Sequence, residues 1–208
     1  FSPFSPAPTL FALLGSLCHS VCLAPDDSIV FRIVAMEAGF PVQVLGSRLS
    51  SHLALSAFYG ANGYQPAWKS AEPGRQLIDS VEQASHDGLN PADYHADILS
   101  CLAHRPMSDF SEDLRADLDL LFSDAFLMLS SHMLVGKVNP QTVHAEWTAN
   151  RRQRQMESVL KDAVQRSDIT GTLDSRRPAA AAYRYLMAAR HALTRTLAPP
   201  GLPRALRP

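Results

Sequence analysis

The sequence predicts an all-α fold, a multi-helix orthogonal bundle joined by short irregular or extended connections. Three observations carry this expectation. Apolar residues recur at helical spacing through most of the chain. Strand-like alternation is nearly missing. Glycine, proline and asparagine fall between the periodic stretches, where they act as stops and caps. With 208 residues and 46% hydrophobic content, the chain is long enough for one sizeable core. It is read as three segments: an apolar, signal-like stretch over 1–27, a helical scaffold domain over 28–197, and a proline-rich linker over 198–208 running toward domains outside this chain.

The elements follow in order. "TLFALLGSLCHSVCLA" (Thr9–Ala24) is apolar for about 15 residues, short for a bilayer span but similar to the h-region of a secretory signal. Against that stand a first residue that is Phe1 rather than Met and the lack of a preceding Lys or Arg. A chain truncated at its N-terminus accounts for both, and a buried core helix is the alternative. Ile29–Ala38 is a short apolar helix behind Ser28, stopped by Gly39 and Pro41. "FPVQVLG" (Phe40–Gly46) alternates briefly, with Val42 and Val44 on one side, as a short extended connection. A helix over Leu53–Ala61 turns Leu53, Phe58 and Tyr59 inward and ends at Asn62 and Gly63, which tolerate the left-handed conformation. In "GYQPAW", Tyr64 and Trp68 are expected to fold back on the core, with an aromatic binding platform as the alternative. Arg75–Asp87 is amphipathic through Leu77, Ile78, Val81 and Ala84.

A polar corner follows, "ASHDGLNPADYH" (residues 84–95). Gly88 stops the preceding helix and Leu89 packs back. Asn90 caps the next helix, Pro91 takes its first turn, and Asp93 sits near its positive end. The device repeats in "GKVNPQTVH" (Gly136–His144), with Asn139 as cap and Pro140 behind it. A histidine lies five residues after each asparagine, at His95 and His144. A paired metal site would need further ligands on a shared face, and neither corner supplies them. His86 lies before its corner and has no counterpart in the second. These histidines are therefore expected at helix ends or on the surface. The longest helix is Glu112–Val135, whose stripe from Leu114 to Met133 is wide enough for burial on more than one side. Asp117, Asp124 and His132 share a face of it. A solvated helix face is the expectation there, with an acid–base or metal cluster as the alternative. Arg151–Arg166 and Ala180–Leu197 are the last two helices, separated by "SRRPAAAAY". "APPGLPRALRP" closes the chain as an extended linker.

Charge and cysteine content narrow the function. The formal net charge is −1, but it is roughly −9 up to Glu146 and roughly +8 from Trp147 onward. The basic part includes Arg151, Arg152, Arg154, Arg176, Arg177, Arg184, Arg190 and Arg195. The cluster at 151–154 lacks interleaved aromatics, so nucleic acid is not an expected partner. Cys18, Cys22 and Cys101 make neither a zinc pattern nor a disulfide framework. Cys101, near His104, reads as a mid-helix core cysteine rather than a nucleophile, which would need a polarising neighbourhood. Phosphate-loop, nucleophile-elbow and metalloprotease motifs are absent from the sequence.

In this order, "FYGANGYQPAW", "ASHDGLNPADYH", "DLDLLFSDAFLMLSSHMLVGKVNPQTVHAEW" and "YRYLMAARHALTRTLAPPGLPRALRP" resemble the N-terminal scaffold region of large multidomain murein L,D-transpeptidases of Gram-negative bacteria. The resemblance covers Ile29 to Pro208. It implies a helical, non-catalytic scaffold in an exported enzyme. A separate C-terminal domain of that family holds a cysteine in a His-Gly-x-Cys-type signature and makes 3→3 peptidoglycan cross-links. That signature is not in this sequence, and Cys101 does not match its context.

We therefore expect no catalytic, cofactor-binding or metal-ligating residue, no cofactor, and no transpeptidase activity from this chain alone. The expected partners are the peptidoglycan-binding and catalytic domains of a parent protein, and other cell-wall synthesis proteins, in the periplasm and with no stable membrane span. Tyr64, Trp68, Tyr94 and Trp147 are the aromatic candidates for interdomain packing, though each fits the core better. The rival expectation is a stand-alone helical binding module of the envelope. A weaker third is a small hydrolase or metal protein that uses the histidines.

Overall fold

A computed structural model gives the fold for residues 27–102, 109–137 and 145–197. The signal-like stretch with Cys18 and Cys22, His104, the second corner from Val138 to His144 and the proline-rich tail lie outside the described residues. So do the side chains of Trp147, Arg151, Arg152, Arg154 and Arg195. The described residues form an all-α fold with one minor hairpin. Its helices are α1 (Asp27–Glu37), α2 (His52–Ala61), α3 (Ala71–Gln83), α4 (Ala96–Leu102), α5 (Glu112–Val135), α6 (Ala145–Arg166), α7 (Ile169–Asp174) and α8 (Ala181–Leu197). Two 3₁₀ turns, Ala84–Asp87 and Pro91–Tyr94, lie between α3 and α4.

The axis of the bundle is α5. Ser111 caps it by accepting a hydrogen bond from the Leu114 amide at 3.3 Å, with Glu112 and Asp113 at the positive end of the helix dipole. Gly136, at φ +87°, ends it. Between these signals Leu118, Leu121, Phe122, Ala125, Phe126 and Leu129 are all buried. The helix packs against α1, α2, α3, α4, α6 and α7. It is long and apolar enough to cross a membrane by length and composition, but 72% of the relevant stretch is buried inside the protein. Its apolar character is explained by neighbouring helices. Gly74 of α3 allows a close crossing, since a Cβ there would stand 3.3 Å from the Phe122 ring.

Around α5, α1 buries Ile29, Ile33 and Met36, α2 buries Leu55, Phe58 and Tyr59, and α6 buries Met156, Leu160 and Ala163. Several boundaries and faces differ from the sequence expectation. The segment around Val42 is half of a hairpin: β1 (Gln43–Val44) pairs antiparallel with β2 (Ser47–Arg48). Its two-residue loop places Leu45 at φ +51° and Gly46 at φ +78°, both signs that a tight hairpin requires. Leucine is a poor signal for such a turn, so the second strand was not legible. Helix α3 starts four residues before Arg75 and passes into 3₁₀ geometry at Ala84. Leu53 is 67% exposed rather than inward-facing. A short helix, α7, follows α6; Asp168 caps it by accepting from the Gly171 amide at 3.0 Å.

Helix α8 is set apart. It rests mainly on the 3₁₀ turn Ala84–Asp87, and Tyr185, Leu186 and Leu193 stand exposed on it.

Candidate functional site

The polar corner 84–95 is a structural hub whose side chains reach several elements. Gly88 adopts φ +82°, and Leu89 donates its amide to Ala84 O at 3.1 Å while packing on the core. The Asn90 side chain accepts from the Ala92 amide at 3.3 Å. Stop, return contact, cap and proline therefore stand where the sequence placed them. The helix they open is a single 3₁₀ turn, because His95 takes a left-handed conformation at φ 60°. The chain restarts as α4.

His95 stands at a helix end, as expected, between the 3₁₀ turn and α4, but it is not a surface residue. Its side chain is only 8% exposed and Asp124 is fully buried, with Nε2 and Oδ2 2.8 Å apart. A carboxylate only accepts, so the Nε2–H donates. The Asp124 carboxylate also accepts from the Ser50 amide at 3.1 Å and the Ser51 amide at 2.7 Å. One carboxylate thus ties the entry to α2, the corner and α5 together. Next to it, the Tyr94 hydroxyl and His132 Nδ1 share a hydrogen bond of 2.9 Å. Burial, then the nearby charge of Asp93, pushes the Tyr94 phenol up to about 12. His132 is held below its usual value, by burial first and then by Lys137, against an opposing pull from Asp93. Asp93 itself pairs with Lys137 just beyond α5.

The preferred solvated face of α5 is thereby corrected. Asp124 is buried, Asp117 is an ion-pair partner of Arg32 with 19% of its side chain exposed, and His132 is half-buried. An α-helix packed on most sides has little free face to leave in water, and its polar groups are satisfied internally instead.

A second network was missed entirely. Asp119 is 1% exposed. Its Oδ1 accepts from the Tyr59 hydroxyl at 2.6 Å and the Ala67 amide at 2.9 Å, and its Oδ2 from the Trp68 amide at 2.9 Å. Tyr59 and the Trp68 indole also meet Ser123 Oγ, at 2.8 Å and 2.9 Å. Trp68 lies against Phe122, with ring centroids 5.2 Å apart. Trp68 and Tyr64 do fold back on the core, as expected, and Tyr94 is buried as well. The available signal was Asp119 itself, a carboxylate between Leu118 and Leu120 in a helix too apolar to have a solvated side.

The same corner holds α8. The Asp87 carboxylate accepts from Arg177 Nε at 3.0 Å and from the Tyr183 hydroxyl at 2.8 Å. Arg190 donates to Ser85 O. Cys101, expected in the core, is exposed and carries no disulfide. It lies in the last turn of the seven-residue α4, which is too short to surround it. Beyond these networks, a cleft of about 230 Å³ lies between the 65–70 segment and α6.

Taken together, the buried carboxylates accept backbone amides and pin loops to a central helix. That arrangement fixes shape and presents faces. The class it defines is a helical scaffold. Comparison with family models agrees: the scaffold-domain model matches residues 53–189, and the chain belongs to that family. The match supports a non-catalytic, scaffolding role. No curated protein matches the chain, and no solved structure does.

Proposed function

We propose that this chain is the non-catalytic scaffold of an exported L,D-transpeptidase that forms 3→3 peptidoglycan cross-links in a Gram-negative periplasm. Its task is positional. It holds a peptidoglycan-binding module and a catalytic cysteine domain in register, and it meets other enzymes of wall synthesis. Residues 1–27 act as the export segment, 28–197 as the scaffold and 198–208 as the linker to the downstream modules. The observation that carries the reading is the ordered set of motifs from "FYGANGYQPAW" to "YRYLMAARHALTRTL", lying within or across the region matched by the scaffold-domain model. Exposed apolar side chains on two helices, Phe31 and Val34 on α1 and Tyr185, Leu186 and Leu193 on α8, suit a domain that packs on others.

The test is the coding sequence downstream of the Pro208 codon, together with cell fractionation of the tagged product. An in-frame extension carrying a His-Gly-x-Cys-type segment, and recovery from the periplasm, are the expected results. A stop codon directly after Pro208, or a cytoplasmic product, defeats the proposal.

A further inference from the structure

We propose that the cleft between the 65–70 segment and α6 binds a short acidic peptide through its carboxylates. Two lysines line it from different elements, Lys69 on the loop and Lys161 on α6. Neither forms an ion pair among the described residues. Of the nearby acids, Glu72 binds Arg75 and Gln76, Asp162 faces Arg166, and Glu157, one turn before Lys161 on α6, lies outside the cleft lining. The residues lining the cleft include no carboxylate among those described. Two positive charges therefore line one opening whose own lining holds no carboxylate, and a ligand bearing two carboxylates complements them.

The remaining groups refine the class. Phe58 and Pro73, both buried, and Val164 give an apolar floor, which suits short aliphatic side chains rather than a bare inorganic anion. The Ser70 hydroxyl stands at the start of α3 without a capping hydrogen bond. The Asn62 amide nitrogen is held by Gln65 O at 2.9 Å, which fixes its carbonyl oxygen as an acceptor for a peptide N–H. The loop wall is rigid, because the Ala67 and Trp68 amides are both bonded to buried Asp119. At about 230 Å³ the cleft is smaller than pockets that enclose a drug-sized ligand, about 300 Å³ upward. A peptide laid across it, with two acidic groups reaching the lysines, fits that size. Lysine offers a hydrated point charge rather than a bidentate fork, so binding should be modest and strongly salt-dependent.

The site goes beyond the scaffold reading and rests on it only for one choice of ligand, the carboxylate-rich stem peptide of the wall. Calorimetric or NMR titration of the full chain uses two probes: a synthetic stem tetrapeptide containing diaminopimelate, and triglutamate. Binding of either at low salt is expected. Each of Lys69→Gln and Lys161→Gln should weaken it about five-fold, and the double variant should weaken it further. Salt at about 0.5 M should abolish it. Both lysines are exposed, so unchanged thermal melts confirm that the variants fold. Stem-peptide binding alone supports the site and joins it to the wall; triglutamate binding, alone or as well, supports a general carboxylate site. No titration by either probe, or wild-type affinity in the double variant, overturns the proposal. A missing catalytic domain downstream of Pro208 would end the transpeptidase reading and leave this titration result intact.

Discussion

At the scale of single residues, the buried carboxylates decide how α5 meets its loops. Asp119 satisfies two backbone amides and a phenol at once. Removing it strands the two amides, while the Tyr59 phenol keeps Ser123 Oγ and the Asp119 carbonyl, and each stranded buried group costs about 1–3 kcal/mol. Asp119→Ala should therefore lower unfolding stability by about 3–5 kcal/mol. Glu72→Ala, which breaks an exposed pair with Arg75, should cost under about 1 kcal/mol. Urea denaturation of the two variants checks this, and equal losses would refute the assignment of Asp119 as the stronger anchor. His132 gives a pH dependence of definite sign. Its folded-state value is lowered, mainly by burial and then by Lys137, with Asp93 opposing. The unfolded chain, titrating near 6.5, thus binds the proton more readily. The stability contributed by neutral His132 is present above about 6.5 and is lost as pH falls through the lower folded value. His132→Gln should flatten the fall in stability between about pH 7 and 5, read from denaturation midpoints across that range. The sequence placed His132 and Asp124 on one helix face correctly. It misjudged what covered that face, because the partners Tyr94, His95 and Ser51 lie 29 to 73 residues away.

At the scale of elements, caps and stops were legible and tertiary burial was not. The Asn90-Pro91 cap, the Gly88 stop and the full span of α5 all follow from local chemistry, which a linear sequence carries directly. The second strand of the hairpin and the outward turn of Leu53 depend on what packs nearby. So does the conversion of a predicted helix into one 3₁₀ turn ended by His95. Helix α8 is where local and tertiary information meet. Its own periodicity predicts a helix, yet its attachment rests on a few polar bonds to the corner 84–95. Asp87 is the centre of that attachment, with 8% of its side chain exposed. Asp87→Ala removes the acceptor of both Arg177 and Tyr183. Backbone amides of α8 should then exchange at least about ten-fold faster, while those of α5 keep their protection. The Tyr183 phenol, pushed up to about 12 by burial and then by Asp87, should return toward about 10 in an ultraviolet titration. Unchanged exchange in α8 would show that the helix is held by something other than this latch.

At the scale of the whole molecule, the chain combines a rigid interior with apolar side chains turned to solvent. The interior is tied by Asp119 and Asp124 into the helix that most others touch. The outward residues are large: Phe31 is 74% exposed, Tyr185 76% and Leu186 65%. Composition foretold one core. It did not foretell which apolar residues the core would leave out, because the spare face of α1 carries the same residue types as its buried face, and α8 is apolar without a buried face among its described residues. Exposed apolar side chains contribute little to folding, since they remain in water in both states. Phe31→Ser and Leu186→Ser should each change unfolding stability by no more than about 0.5 kcal/mol, whereas buried Phe126→Ala should cost about 3–5 kcal/mol. Apolar faces that lack a covering domain should instead pair with one another. Sedimentation velocity of the isolated chain is expected to show reversible self-association as concentration rises, and the double variant Phe31→Ser/Leu186→Ser to remain monomeric over the same range. A wild-type chain that stays monomeric at every concentration would mean these faces are ordinary surface, and the reading of α1 and α8 as packing faces would fall with it. Self-association abolished in the double variant, with the melting transition preserved, separates surface that exists to be covered from core that exists to hold the fold.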